Sequence, residues 1–349
     1  MNYQAIWFVL WSVLWAVYFT ADGFDFGAGM LQRFVSRSEE DRRAVINTMG
    51  PVWDGNEVWL LTAGGATLAA FPIVYASMFS FLYSALLLLL FALIFRGVSF
   101  EFRGQRESRS WRNGWDWALQ VGSFLPALLF GVAFGNIFEG LNFDAAGWHG
   151  SLLGLLNPYG LLTGVLFVLL FLEHGALWLR VKTSGGVAER SAAIAGGVWY
   201  ALLAMAVIFL VYTNFATHLY DNYRNQPLWA IVPLIAVVAL LGVKFFARAG
   251  RYFASFISSC LTIMTVVFTG VIGLFPNMIP SSIDTASNLT IYNSSSSDYT
   301  LRIMTVVAVV FVPIVIAYQL WVYFIFRKEM GGDEVYGQED ALKTKTKVA

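Results

Sequence analysis

Residues Gly50 to Pro72 read "GPVWDGNEVWLLTAGGATLAAFP". The right half has the composition of a membrane span. The left half places Asp54, Asn56 and Glu57 between tryptophans, where lipid is expected. A carboxylate in hydrocarbon costs several kcal/mol unless it is paired or wetted. Whether this stretch crosses the bilayer sets the helix count and the sidedness of every later loop, so it needs support from the rest of the chain.

That support begins with composition. The chain has 349 residues, of which 58% are hydrophobic, 17% aromatic and 13% charged. Soluble domains carry about 25% charged residues, so the class is a membrane protein. The formal net charge is zero, which gives no electrostatic case for nucleic acid as a partner. A single cysteine, Cys260, excludes an intrachain disulfide and a cysteine-based metal or cluster site. The opening residues, MNYQAIW, lack the basic region of a secretory signal.

A helical crossing needs about 20 mostly apolar residues. The sequence predicts an all-α integral membrane protein with nine spans, over 6–30, 51–72, 74–95, 117–138, 159–180, 192–213, 228–247, 252–274 and 303–326. The chain reads as one polytopic domain, residues 1–349, with a polar outer loop at 277–302 and a cytoplasmic tail at 328–349. Basic residues test the count. Of 22 lysines and arginines, only Arg224 and Arg302 fall in even-numbered loops. The positive-inside rule puts the odd loops and the C-terminus in the cytoplasm and the N-terminus outside. Removing span two would scatter the basic loops over both sides.

The outer loops differ in character. Residues 139–158 carry no Lys or Arg, and 277–302 is Ser-rich, with sequons at Asn288 and Asn293 that matter only in a glycosylating pathway. The plainer reading of 277–302 is a hydrogen-bonded loop whose Ser and Asp cap span nine. The GxxxG pairs Gly23/Gly27, Gly131/Gly135 and Gly160/Gly164 predict close helix packing.

Ionisable groups at membrane depth are functional candidates by default. They are Asp22 and Asp25 in span one, Asp54 and Glu57 in span two, Asp116 opening span four, and Glu173 with His174 in span five. Given the expected topology, all lie in the cytoplasmic half. Asp22/Asp25 and Asp54/Glu57 are i,i+3 pairs, each sharing a helix face. Pro51 suits a helix start, and the positive end of that helix favours an ionised Asp54. Such chains of carboxylates mark proton routes. The structural alternative has Asp54 capping its own helix and Asp22 paired with an arginine of a cytoplasmic loop. Of three histidines only His174 reaches membrane depth, which leaves no bis-histidine haem site. The 13 tryptophans and 30 phenylalanines are expected mostly at the lipid face and interface.

The motifs "TADGFDFGAGML", "GPVWDGNEVWLLTAGGATLAAFP", "WRNGWDW", "GSFLPALLFGVAFGN", "LLNPYGLLTG", "FPNMIPSS" and "FVPIVIAY" resemble subunit II of the cytochrome bd-type quinol oxidases, along essentially the whole chain. The resemblance implies a respiratory complex that oxidises quinol and reduces oxygen to water. It implies nine helices as two four-helix bundles and one peripheral helix, in a bacterial inner membrane. It places two haems b and one haem d in a partner, subunit I, which forms a pseudosymmetric heterodimer with this chain. It allows a structural quinone here and an additional small single-helix subunit. It also implies part of a cytoplasmic proton path, with its aspartate at Asp54 of the Trp53–Asp54–Gly55–Asn56 segment and Asp25 on a neighbouring route. Glu57 stands where some relatives carry Gln. The competing readings are a proton-coupled secondary transporter, which should show broken helices in both halves, and a purely structural scaffold, which would not confine its carboxylates to one side.

Overall fold

The computed structural model describes residues 2–329. Most of the predicted tail, including Lys343, Lys345 and Lys347, lies outside the described residues. The described chain forms twelve α-helices: α1 (Tyr3–Val35), α2 (Glu39–Met49), α3 (Trp53–Ala70), α4 (Pro72–Phe81), α5 (Tyr83–Phe102), α6 (Arg109–Glu139), α7 (Pro158–Lys182), α8 (Gly185–Ala216), α9 (Leu219–Asn225), α10 (Ile231–Arg248), α11 (Tyr252–Leu274) and α12 (Asp298–Ile325). Eight of them are long and apolar enough to cross a membrane. The helix that carries the opening stretch, α3, is not among the eight: it has 18 residues, three of the first five of which are Asp54, Asn56 and Glu57.

Span three needs correction. Pro72 has no N–H to continue α3, so the chain breaks at Phe71 and restarts with Pro72 in the first turn of α4. A second break at Leu82 (φ −102°, ψ 15°) ends α4, and the long apolar helix is Tyr83–Phe102 rather than 74–95. Nothing in the apolar composition marks Leu82. The shift carries Arg96 out of the expected loop and about 20 Å along α5. Similarly, α6 starts at Arg109, so Asp116 lies within a helix.

α1 runs through the middle of the molecule and packs against α3, α6, α7 and α11. On one side stand α3, α5 and α6. On the other, α7, α8, α10 and α11 pack against one another, and α12 rests outside against α1 and α3. The predicted GxxxG glycines lie at the closest approaches. A Cβ on Gly27 would overlap the carbonyl oxygen of Phe171 on α7, and one on Gly175 would overlap the α1 backbone. Gly131 and Gly135 of α6 face Gly164, Thr163 and Gly160 of α7 in the same way.

Part of the aromatic content goes inward rather than to lipid. Trp15, Tyr18 and Phe19 of α1 meet Phe130 and Phe134 of α6 and Phe171 of α7, with Trp15 and Phe134 centroids 5.3 Å apart, mostly edge-on. Edge-to-face rings fill the three-helix junction with favourable quadrupole geometry.

The loops close the ends. Two hairpins, β1 (Phe143–Asp144) with β2 (Gly147–Trp148) and β3 (Asn277–Ile279) with β4 (Leu289–Thr290), interlock through Leu141 N–H to Pro280 O and Ser282 N–H to Leu141 O, both 2.9 Å. Ser296 donates to the carbonyls of Ala70 (2.8 Å) and Ala69 (2.7 Å), satisfying the free C-terminal end of α3. Ser297 caps α12, as the loop composition predicted. At the opposite end, α2 folds from a stretch read only as a basic loop, with Ser38 as its N-cap.

We expect Gly27→Ala to force α1 and α7 apart, lowering the melting temperature of the purified assembly by an amount corresponding to about 1–3 kcal/mol. Gly197→Ala on α8, where a Cβ meets nothing within 4 Å, should leave it unchanged or raised.

Candidate functional site

Asp22 and Asp25 are fully buried, one turn apart on α1. Their counter-charge is Arg96 of α5, also fully buried. Its Nη1 donates to Asp22 Oδ2 at 3.0 Å and its Nη2 to Asp22 Oδ1, a bidentate pair. The guanidinium also lies 4.4 Å over the Phe26 ring. Gly122 of α6 makes room: a Cβ there would meet Ala92 O at 2.7 Å and Arg96 N at 3.0 Å. The bare glycine thus lets α6 seal the pair from lipid and water.

Asp25 is held differently. Arg96 Nη2 stands 3.9 Å from its Oδ2, and the direct hydrogen bond to that oxygen comes from Asn56 Nδ2 at 2.7 Å. The other oxygen, Oδ1, has no hydrogen-bond partner. Asn56 accepts at Oδ1 from Tyr323 OH (2.6 Å) and Gln319 Nε2 (3.1 Å) of α12. Those two donors fix the amide so that its NH₂ faces Asp25. One polar chain therefore joins α5, α1, α3 and α12.

The remaining sequence-predicted residues scatter around this chain. Glu57 is half-buried one turn beyond Asp54, in the field of Arg96, Asp22 and Asp54. Asp54 itself is exposed and makes no hydrogen bond or ion pair among the described residues. It and Glu57 do not share the buried chain; Asn56, between them, does. Trp53 stacks on Phe100 of α5 at 5.0 Å, which places it as a wedge between α3 and α5.

Asp116 belongs to a clamp at the basic end. It receives Arg103 Nε (2.6 Å) and Arg42 Nη1 (3.2 Å), while Arg103 also donates to both oxygens of Glu39 at 2.8 and 2.9 Å. Burial works against the Glu39 charge, but the Arg103 hydrogen bonds and the charges of Arg103, Arg112 and Arg43 hold its carboxyl below the ordinary value. Arg190 joins Asp41 at 2.6 Å, tying α8 to α2. Glu173 and His174 sit apart, between α7 and α11.

The structural alternative for Asp22, pairing with an arginine, is met by Arg96, though from within α5 rather than from a loop; Gln319 and Tyr323 were missed. The signal for Arg96 was charge balance, because two buried aspartates require a cation, and Arg96 is the first basic residue after the apolar run 71–95. Beside the chain, a crevice of about 1040 Å³ opens between α1, α3, α7, α11 and α12, lined mostly by aliphatic and aromatic groups with Gln319, Tyr323, Lys182 and Arg327 on its wall. No histidine stands free to hold haem iron. Both nitrogens of His174 are engaged, with Ser259 and with the Thr20 carbonyl, and His149 and His218 face Asp144 and Asp221 in the loops.

Breaking a buried ion pair from one side strands the other charge. Arg96→Met alone should cost about 3–5 kcal/mol and reduce the yield of assembled protein. The double variant Arg96→Met with Asp22→Leu should recover most of that yield.

The geometry can be set beside known proteins. The model of the family "Cytochrome bd terminal oxidase subunit II" matches residues 3–326. The chain is 39% identical over 354 residues to "Cytochrome bd-I ubiquinol oxidase subunit 2" of Escherichia coli (strain K12), covering 92% of this chain and 93% of that one. It is 37% identical over 336 residues to "Cytochrome bd ubiquinol oxidase subunit 2" of Bacillus subtilis (strain 168), covering 94% and 97%. The fold matches a chain of the bd oxidase structure from Geobacillus thermodenitrificans with a TM-score of 0.77 at 18% identity, over 94% of this chain and 100% of that chain. With eight apolar helices of membrane length and relatives of this kind, the chain is a multi-pass protein of the bacterial inner membrane. A family match over nearly every described residue and two full-length relatives above 30% identity assign it plainly: this chain belongs to the cytochrome bd terminal oxidase subunit II family.

Proposed function

We propose that this chain is the haem-free subunit of a quinol-oxidising, oxygen-reducing complex, and that Asp54, Glu57, Asn56 and Asp25 line the inner part of its cytoplasmic proton-uptake route. The observation that carries the reading is the charge balance of the buried chain. One guanidinium faces two carboxylates, and it is bidentate on Asp22. Asp25, with one oxygen unpartnered, is the group left to take up and release a proton. Asp54 is at the surface of α3, Glu57 a turn deeper and half-buried, Asp25 fully buried. They form a graded path inward from the end where the basic loops gather.

The same reading gives α3 a ninth crossing. It lies alongside α1, with Asn56 on Asp25 at one end and Thr67 Oγ1 accepting from Trp11 Nε1 (3.0 Å) near the other. An unpaired carboxylate such as Asp54 is unfavourable against lipid, so the α3 face that carries it is where subunit I packs. The two haems b and one haem d supply the electron transfer and oxygen chemistry from that partner. Protons drawn from the cytoplasm to oxygen reduction, with quinol protons released outside, separate charge without a pump. The crevice suits a structural quinone, with apolar walls for an isoprenoid tail and the Gln319 amide and Tyr323 hydroxyl within reach of a head group. The transporter alternative gains little from the fold: α6 and α12 run unbroken through Pro126 and Pro313.

In the assembled complex, Asp25→Asn should lower quinol oxidase turnover and proton uptake together by about 100-fold, the scale of a positioned proton-transfer group, with haem content unchanged. Asp54→Asn should give a smaller loss, because Asp54 is not part of the hydrogen-bonded chain that holds Asp25. Wild-type turnover in Asp25→Asn would exclude the route. Filling the crevice with Ala308→Trp should reduce the quinone that co-purifies with the complex, measured by extraction.

A further inference from the structure

The outer face of α8 and α10 belongs to the half of the molecule built from α7, α8, α10 and α11. At the end of α10 that Arg248 closes, this face carries an open recess of about 520 Å³, lined by Trp199, Leu241, Lys244, Phe245, Arg248 and Ala249. Ligand pockets run from about 300 to 1,000 Å³. Trp199 is the fixed part of the wall: it is buried, and its Nε1 donates to Leu240 O at 2.8 Å. Leu241 and Phe245 are exposed. With Leu234 and Val238, also exposed, they follow the spacing i, i+4, i+7, i+11 and so form one apolar stripe, which runs from the recess along α10 for about 16 Å.

Two cations meet at the head of that stripe without an acid to answer them. Lys244 Nζ donates to Gly196 O at 2.8 Å and lies 4.3 Å from the Tyr200 ring centroid. Arg248 Nη2 donates to Tyr200 OH at 3.2 Å. Carbonyl, ring and hydroxyl position the two groups but cancel neither charge. An ammonium has three donors and a guanidinium five, so most remain for a ligand. Glu173 of α7 couples to Lys244 electrostatically, but it is buried, lies outside the recess and makes no ion pair with it among the described residues. Glu189, two turns before Gly196 on α8, is exposed and pairs with neither cation among the described residues. An uncompensated charge one turn inside the end of a membrane helix is costly unless it reaches the headgroup layer.

We propose that this recess is a binding site for one anionic phospholipid of the cytoplasmic leaflet, its headgroup phosphate between Lys244 and Arg248 and an acyl chain along Leu241, Val238 and Leu234. Basic pockets between membrane helices on the cytoplasmic side take such headgroups. The site joins the two halves of that chemistry: paired donors at one end, and at the other an exposed apolar track that a soluble anion would leave bare. Two cations with no acid in the recess favour a headgroup of net negative charge over a zwitterion, whose own ammonium would face them. Gly196 contributes by lacking a side chain, since a Cβ there would stand 3.9 Å from Lys244 Nζ and crowd the approach to it. The lipid would hold α8 to α10 where the two helices are otherwise bridged by Lys244 and Arg248.

The test uses the intact oxidase complex, depleted of native lipid in detergent, titrated with phosphatidylglycerol in mixed micelles and read by native mass spectrometry. The wild type should take up one phosphatidylglycerol ahead of any others. Arg248→Gln should weaken that step about 5-fold, and Lys244→Gln with Arg248→Gln about 25-fold, the effect of one and of two cations near a membrane surface. Lys244→Arg should retain it. Arg251→Gln, a basic residue outside the recess, should leave it unchanged. An equal loss in Arg251→Gln overturns the proposal, because it marks diffuse surface charge. So does equally tight uptake of phosphatidylethanolamine, or displacement of the lipid by equimolar inorganic phosphate. If the double variant fails to assemble, Arg248→Gln decides, since Arg248 is exposed at the helix end. The readout does not depend on turnover, so its outcome is separate from that of the Asp25 route.

Discussion

A guanidinium inside a membrane protein has to be answered by carboxylate, and in this chain the answer sets the arrangement of four helices. Arg96 and Asp22 are each buried to the last atom and joined by two hydrogen bonds. Neither charge survives at that depth without the other. The pair fixes α5 against α1. One turn further along α1, Asp25 meets Asn56 and thereby draws in α3, and Asn56 in turn is held by Gln319 and Tyr323 of α12. The glycine at 122 is part of the same constraint, since α6 covers the pair only where it has no side chain.

The two halves of the molecule treat polarity differently. Around α1, α3 and α5 the buried charge is paired and extended by amides toward the crevice. Around α7 and α11 it is reduced to Glu173, enclosed by leucines, and to His174, bonded to Ser259 and stacked on Phe256. Between the halves, the aromatic junction of Trp15, Phe19, Phe134 and Phe171 forms an apolar wall.

Much of this was legible residue by residue. The apolar runs located α7, α10 and α11 within a few residues, and α11 at both ends, because a span is a local sum of side-chain hydrophobicities. The GxxxG glycines marked the closest helix approaches because a missing Cβ has the same consequence in any context. That a Ser or Asp of the outer loop caps the last helix was visible; that it is Ser297 was not. Span three was misplaced because the break falls at Leu82, an apolar residue in an apolar run, and composition is blind to a change of backbone dihedral there. With the span went Arg96, assigned to a loop and found at the centre of the site. Asp54 and Glu57 were grouped by spacing, whereas Asn56, the uncharged residue between them, is the one that faces Asp25.

The sequence by itself determined the membrane class, the strongly apolar spans, the gathering of basic residues in alternate loops and the few acids within or beside those spans. Each follows from local composition and the cost of placing charge in hydrocarbon. Only the tertiary structure decided which acid took the arginine, which kept an unpartnered oxygen, and which stayed on the surface. Those outcomes depend on approaches of a few ångströms between helices distant in the chain, and such approaches are set by how glycines and rings pack, not by the order of residues along any one helix.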